Sequence, residues 1–156
     1  MTLRLRPMTD AEISAFNERE QAHYVGDRIA TGETPETAQE HADRDWERFF
    51  PGGKAAGGHR FYRVLDGADP VGLLWLGPSP DNKSGTDWIY YIEVDETLRG
   101  RGYGRGAMLL AEQEARQQGA TELGLNVFGP NKVARQLYES IGYEATAINM
   151  AKRLSG

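Results

Sequence analysis

The chain of 156 residues contains no cysteine, which excludes disulfides, thiolate metal sites and a cysteine nucleophile. Its three histidines, His23, His41 and His59, lack the spacing of a metal site. No apolar run approaches the roughly 20 residues of a membrane-spanning helix. The first residues have neither an apolar block nor a small-residue cleavage site. These absences predict a cytoplasmic protein without metal, disulfides or membrane contact.

Length and composition indicate one domain with a real core, because 39% of the residues are hydrophobic. The net charge of −5 is unevenly spread. Residues 9–50 carry eleven acidic and four basic side chains, a net charge of −7. This acidity argues against a broad nucleic-acid surface and is compatible with attraction of a cationic molecule. Two solvated helix faces would explain it equally well.

Apolar periodicity and turn residues predict ten elements in the order strand, two helices, three strands, helix, strand, helix, strand. The three consecutive strands have short connections and are typical of an antiparallel meander. The order as a whole predicts a mixed sheet with helices on both faces. The predicted strands cover residues 3–8, 59–65, 71–76, 87–94, 123–128 and 144–152, and the predicted helices 10–29, 35–50, 104–118 and 131–141.

A turn with alternate glycines connects the third meander strand to the next helix, with glycine at 100, 102, 104 and 106. Glycines there let the backbone approach a ligand and aim successive N–H groups at it. The helix N-terminus adds partial positive charge, and Arg99, Arg101 and Arg105 add full charges. The pattern predicts a phosphate or pyrophosphate site. A tight turn with solvated arginines is the alternative.

Two other phosphate-binding motifs do not fit this turn. A P-loop requires a lysine, and none lies here. The residues 102–107 satisfy a G-x-G-x-x-A pattern, with Glu122 twenty positions after the first glycine. A Rossmann turn, however, follows its strand almost at once and needs further parallel strands after it. Here residues 95–98 intervene, and too little chain remains.

The turn instead matches a signature of a known family. Arg99-x-x-Gly102-x-Gly104 fits the Q/R-x-x-G-x-G/A pattern of the GNAT (N-acetyltransferase) superfamily. A second segment resembles the GNAT helix that flanks the thiol end of coenzyme A; it reads Asn131-x-x-Ala134-x-x-Leu137-Tyr138-Glu139-x-x-Gly142-Tyr143. With the order of elements, the resemblance covers nearly the whole chain.

The resemblance implies a single GNAT domain over residues 1–156, an α/β fold in which a mixed, mostly antiparallel sheet of about six or seven strands forms the middle of a three-layer α/β/α sandwich. Within it, residues 10–50 would form the acceptor-side helices and residues 88–118 the region that binds the coenzyme A pyrophosphate. Residues 121–154 would form a C-terminal β-α-β unit.

The resemblance also implies acetyl-CoA, or another acyl-CoA, as donor cosubstrate, with no metal. The pantetheine arm would pair with the backbone edge around Ile92 and Val94, as an added strand does. Asn131 would contact the pantetheine or the thiol end. The pyrophosphate would lie on backbone N–H groups of the turn, whose expected binding residues are Arg99, Gly100, Arg101, Gly102, Tyr103, Gly104 and Arg105.

Transfer to an amine requires a proton for the leaving thiolate, and Tyr138 occupies the family's usual general-acid position. A phenol with a pKa of about 10 is suited to protonate a thiolate. The alternative is a core tyrosine on an apolar helix face with Val133, Leu137 and Ile141. Helical spacing alone does not separate the two.

The general base is predicted by a departure from the family. Many members place a carboxylate where this chain has Asn126, which cannot accept the proton. The role therefore falls to Glu93, on the strand beside the expected thioester, with the Val94 N–H polarising the carbonyl. Strand alternation puts Tyr91, Glu93 and Asp95 on one face and Tyr90, Ile92 and Val94 on the other. The alternative is that Glu93 is a buried structural partner of an arginine.

The implied activity is acetyl transfer to a primary amine of a small molecule or peptide, by direct attack in a ternary complex of a monomer or homodimer. A non-catalytic acyl-CoA-binding sensor on the same scaffold is the main alternative. A nucleic-acid-binding Arg-Gly segment is disfavoured by the acidic total. Aromatic residues predicted to line either the acceptor pocket or the core are Trp46, Phe49, Phe50, Trp75 and Trp88.

Overall fold

A five-stranded sheet organises the fold, which is described over residues 1–155 by a computed structural model. The strands lie side by side in chain order, β1 to β5. The first four pair antiparallel, and β5 runs parallel to β4. This confirms the mixed, mostly antiparallel sheet. The strands are β1 (Leu3–Pro7), β2 (Arg60–Asp66), β3 (Asp69–Pro78), β4 (Thr86–Val94) and β5 (Glu122–Leu125).

Four helices accompany the sheet, and three begin at a side-chain cap that the sequence supplies. Thr9 caps the first helix in a reciprocal capping box with Glu12, and Thr34 caps the second. Asn131 caps the fourth helix by accepting the Ala134 N–H. The third begins at Gly102 without a side-chain cap. The helices are α1 (Asp10–Ala30), α2 (Pro35–Phe49), α3 (Tyr103–Gln117) and α4 (Lys132–Ser140).

The two faces of the sheet bury different helices, which confirms the three-layer α/β/α arrangement. On one face Phe16 of α1 packs against Phe61 of β2 and Trp75 of β3. On the other, the Tyr62 hydroxyl donates to Glu114 of α3 at 2.7 Å. Neighbouring strand residues point to opposite faces. Strand β2 therefore contributes side chains to both layers.

A β-bulge in β4 interrupts the predicted alternation of its side chains. Trp75 pairs with Tyr91 and Leu76 with Ile89, which leaves Tyr90 as an extra residue. The Tyr90 ring stacks on Trp75 at 5.1 Å, and the Tyr91 ring meets Phe16 at 5.0 Å. Both tyrosines therefore face the α1–α2 layer, and the assignment of Tyr90 to the opposite face was wrong. Period-two patterning cannot detect an inserted residue.

The C-terminal part of the chain contains fewer strands than predicted. The chain divides into two compact units, Met1–Leu125 and a second that begins at Asn126. Strand β5 stops at Leu125, three residues before its predicted end, and residues 144–152 form no strand. The sheet therefore has five strands instead of six or seven. Ile148 and Met150 are largely exposed, so the segment lacks the buried face that favours a strand over an open chain.

Gly72 allows β3 and β4 to approach each other closely. A Cβ placed on Gly72 would lie 2.1 Å from the Glu93 carbonyl oxygen. Backbone in a paired strand cannot give way as a flexible side chain can. A glycine at this position is thus required for the pairing that holds the second half of β4.

We expect Gly72→Ala to lower the free energy of unfolding by about 1–3 kcal/mol, the usual effect of overpacking. Chemical denaturation measures the change. Gly57→Ala is the matched control, because a Cβ there meets nothing within 4 Å. Equal stabilities of the two variants would contradict the close approach.

Candidate active site

The second half of β4 presents an open backbone edge. The β4–β5 ladder ends at the pair Ile89–Leu125, whereas β4 continues to Val94. The Asp95 N–H donates to Val71 of β3 at 2.9 Å. Because hydrogen-bonding direction alternates along a strand, the N–H groups of Ile92 and Val94 point to the opposite edge. That edge has the donors and acceptors an added extended chain would need.

The glycine turn lies at the end of this edge. A short 3₁₀ turn (Glu96–Leu98) follows β4, and α3 begins at Tyr103. Gly100 and Gly102 have φ of +79° and +86°, left-handed values that suit glycine. A Cβ on Gly100 would meet nothing within 4 Å, so the space beside the turn is open. The first N–H groups of α3 follow the turn and have no partner within the helix.

Two side chains of the turn have structural partners. Arg99 Nε donates to the Val94 carbonyl at 3.1 Å, which joins the turn to the end of β4. The Tyr103 hydroxyl donates to Asp66 at 2.7 Å and fixes the start of α3 to the β2–β3 hairpin. This hydrogen bond raises the pKa of Tyr103. The structure thus brings Ile92, Val94 and the turn together along one continuous edge.

Glu93 lies in a hydrogen-bonded cluster with Arg19 and Tyr91. Arg19 of α1 approaches one carboxylate oxygen at 3.2 Å, and the Tyr91 hydroxyl donates to the other at 3.3 Å. The Arg19 and Glu93 side chains retain 41% and 26% of their exposure, so water reaches the pair. Burial and nearby carboxylates raise the pKa of Tyr91. Glu93 therefore has the arginine partner that the structural alternative requires, in a setting accessible to a substrate.

A cavity of about 290 Å³ lies between α1, α2 and the sheet. Its aromatic lining consists of Phe16, Tyr24, Trp46, Trp75 and Tyr91, and its ionisable lining consists of Glu20, His23 and Asp27. Of the aromatic residues expected in either the acceptor pocket or the core, Trp46 and Trp75 line this cavity, and Trp75 also belongs to the hydrophobic core cluster.

The other predicted aromatic residues lie elsewhere. Phe50 is in the hydrophobic core cluster, and Phe49 packs against it. Trp88 lies beneath Gly124, at which a Cβ would come within 2.4 Å of the indole ring. These three side chains fill space between elements and do not line the cavity.

The α1 side of the cavity was not recognised from the sequence. Phe16, Glu20, Tyr24 and Asp27 recur at helical spacing and share one face of α1. That spacing was a usable signal. No local pattern indicated the contact of Arg19 with Glu93, because 74 residues separate the two.

The second unit contains Asn131 and Tyr138, both on or beside α4. The Asn131 side-chain oxygen accepts the Ala134 N–H at 3.3 Å and caps the helix. Tyr138 is half-buried with its ring 6.2 Å from that of Tyr143, and burial raises the pKa of Tyr138. Val133 is 82% exposed, so it is not part of a buried face shared with Tyr138.

Residues 1–155 contain neither a cluster of metal ligands nor a membrane-spanning helix. No three histidine, aspartate or glutamate side chains in this range converge as metal ligands would. None of the helices described there is both long and apolar enough to cross a bilayer.

Comparison with known proteins identifies the family. Residues 19–143 match the model of the Acetyltransferase (GNAT) family. Two Bacillus subtilis (strain 168) proteins, the uncharacterized N-acetyltransferases YycN and YdgE, are 32% and 31% identical over 156 residues, covering 99% of this chain and 100% and 99% of theirs. The chain therefore belongs to the GNAT acetyltransferase family.

Solved structures share the fold. The crystal structure of YycN superposes with a TM-score of 0.82 at 31% identity, covering 99% of this chain and all of the other. The aminoglycoside acetyltransferase AAC(6′)-Iy, solved with a bisubstrate analogue, has a TM-score of 0.58 at 15% identity, with each chain fully covered. The second likeness concerns the fold alone.

Proposed function

We propose that this protein transfers an acetyl group from acetyl-CoA to a primary amine by direct attack in a ternary complex. The observation that carries the proposal is the continuity of two features: the open edge of β4 leads directly into the glycine turn at the start of α3. The pantetheine arm of coenzyme A is extended like a strand and ends in a pyrophosphate. It therefore needs a strand edge followed by an anion-binding turn. AAC(6′)-Iy, a protein of the same fold, was solved with the bisubstrate analogue CoA-S-monomethyl-acetylneamine.

The chain's residues fit this cosubstrate. The Arg99 N–H already donates to Glu96 at 3.4 Å, so residues 100–104 would supply the backbone N–H groups, around two left-handed glycines. A Cβ on Gly100 would meet nothing within 4 Å, so no neighbouring atom blocks the approach to that residue. Arg101, which is exposed, adds positive charge. The free N–H groups of Ile92 and Val94 would hold the pantetheine amides. Asn131 keeps its side-chain NH₂ for a contact, since only its oxygen caps α4.

The chemistry forms one N–C bond and breaks one C–S bond. The attacking amine loses a proton, which Glu93 would accept directly or through water. The Val94 N–H would stabilise the negative charge that develops on the carbonyl oxygen. The thiolate leaves with a proton from Tyr138. The raised pKa of Tyr138 keeps its phenol protonated at neutral pH, as a general acid requires.

An acyl-CoA-binding sensor on the same scaffold is the second candidate. It is favoured by Asn126 at the position of the usual carboxylate and by the ion pair of Glu93 with Arg19. Release of free thiol from acetyl-CoA in the presence of a panel of amines separates the two candidates. A sensor would bind acetyl-CoA and release none.

The glycine turn is tested by Gly102→Ala, which we expect to weaken CoA binding at least tenfold. A Cβ in the left-handed conformation distorts the turn and narrows the approach to its N–H groups. Calorimetry with CoA measures the affinity. Gly119→Ala is the matched control, because Gly119 follows the other end of α3 with φ of +87°. Equal affinities of the two variants would exclude the turn as the pyrophosphate site.

Tyr138→Phe should preserve CoA affinity and lower kcat by about 10²–10⁴-fold, the usual contribution of general acid catalysis. In the parent, the alkaline limb of the pH–rate profile should lie above the ordinary tyrosine pKa of about 10, because a raised pKa keeps the acid form present to higher pH. The limb should be absent from the variant. Tyr143→Phe is the control, and full activity of Tyr138→Phe would remove Tyr138 from the mechanism.

Glu93→Gln keeps the shape of the side chain and removes its basic oxygen. We expect the rate to fall mainly near neutral pH and to recover partly at high pH, where the free amine needs no base. Full pH–rate profiles of the parent, Glu93→Gln and the exposed control Glu96→Gln measure this. If Glu93→Gln follows the parent at every pH, Glu93 is a structural partner of Arg19.

A further inference from the structure

The cavity extends along α1 from Tyr91, whose hydroxyl donates to Glu93. Phe16 and Glu20 line it near Tyr91 of the sheet, and Asp27 lines it from the other end of the same helical face. Glu20 and Asp27 are seven residues apart, which is about 10 Å along a helix that rises 1.5 Å per residue. The cavity therefore presents two carboxylates at separated positions.

The wall between the carboxylates is aromatic. The Tyr24 and Trp46 rings meet edge to face at 5.2 Å, and the Trp46 indole N–H is already satisfied by Asn17 at 2.6 Å. The Tyr24 hydroxyl donates to Asp45. Arg19 and Arg28 already lie over the Phe16 and Tyr24 rings, and the ring surface that remains suits aliphatic CH₂ groups more than further hydrogen-bonding groups.

The charges near the cavity favour a second cation at its far end. Arg19, at the near end, is shared between Glu20 and Glu93, both at 3.2 Å. Arg28, which lies over the Tyr24 ring, is held by Glu33 at 2.8 Å.

The remaining ionisable groups leave Asp27 as the unpaired acid. His23 is exposed and lies 3.6 Å from Glu20. Within residues 1–155 Asp27 makes no ion pair, and it is exposed. Each cation around the cavity thus has an acidic partner, while the carboxylate of Asp27 has none.

We propose that the acceptor is a linear aliphatic diamine or polyamine. Its reacting primary amine lies at Glu93, its methylene chain crosses the aromatic wall, and its second ammonium group pairs with Asp27. This inference rests on the proposed acetyl transfer and specifies the substrate of the same site. An acceptor with only one amine leaves Asp27 without a partner, so the end of the cavity at Asp27 adds nothing to its affinity.

The test compares unbranched α,ω-diaminoalkanes of increasing length with the monoamines of the same chain length. The parent should show a lower KM for the diamines than for the monoamines, with an optimum at one chain length. Asp27→Asn should raise the KM of the best diamine by about three- to tenfold, as expected for an accessible ion pair beside aromatic rings. It should raise the KM of the monoamine by less than that of the diamine.

Glu18→Gln is the matched control, since Glu18 is an exposed acid of α1 outside this cavity. Equal KM values for diamines and monoamines, or an equal rise for both in Asp27→Asn, would overturn the diamine inference while acetylation still proceeds. Calorimetry with the diamine alone gives a readout independent of turnover. If the diamine binds in an Asp27-dependent way but no amine is acetylated, the cation site stands and the transferase function is rejected. If the diamine does not bind and no amine is acetylated, both the cation site and the transferase function are rejected.

Discussion

The unequal edges of β4 are the constraint on which the rest of the site depends. One edge pairs with β3 from Asp87 to Val94, apart from the bulge at Tyr90, at a separation that only Gly72 permits. The other edge pairs with β5 only as far as Ile89. A strand held on one side and free on the other presents rigid backbone donors at fixed spacing. Since β5 departs where the bulge at Tyr90 occurs, the free edge begins at the point where β4 changes its side-chain facing.

The bulge also joins the two halves of the candidate site. By placing Tyr90 and Tyr91 on the same face, it lets one tyrosine complete the aromatic core around Trp75 while the other reaches Phe16 and Glu93. The core and the cavity are thus continuous. In the proposed function, the strand whose backbone would bind the donor also contributes side chains that would face the acceptor, so both substrates would meet at β4.

Much of the fold was readable from local patterns. Caps at Thr9 and Thr34 located α1 and α2 closely, and the alternate glycines from Gly100 located the turn before α3. These signals act within a few residues, so spacing in the sequence reports them. The last predicted strand failed because alternation over residues 144–152 shows which side chains could share a face but cannot supply a paired neighbour.

The sequence by itself determined the family, the order of the first nine predicted elements and the residue types of the glycine turn, because each depends on motifs of short range. Only the tertiary structure decided that Arg19 pairs with Glu93, that Tyr90 is a bulge, and that Glu20 and Asp27 face one cavity with Trp46 and Tyr91. These relations join α1, α2 and β4 across tens of residues. They arise from how the helices pack on the sheet, and packing of distant segments leaves no periodic signal in the chain.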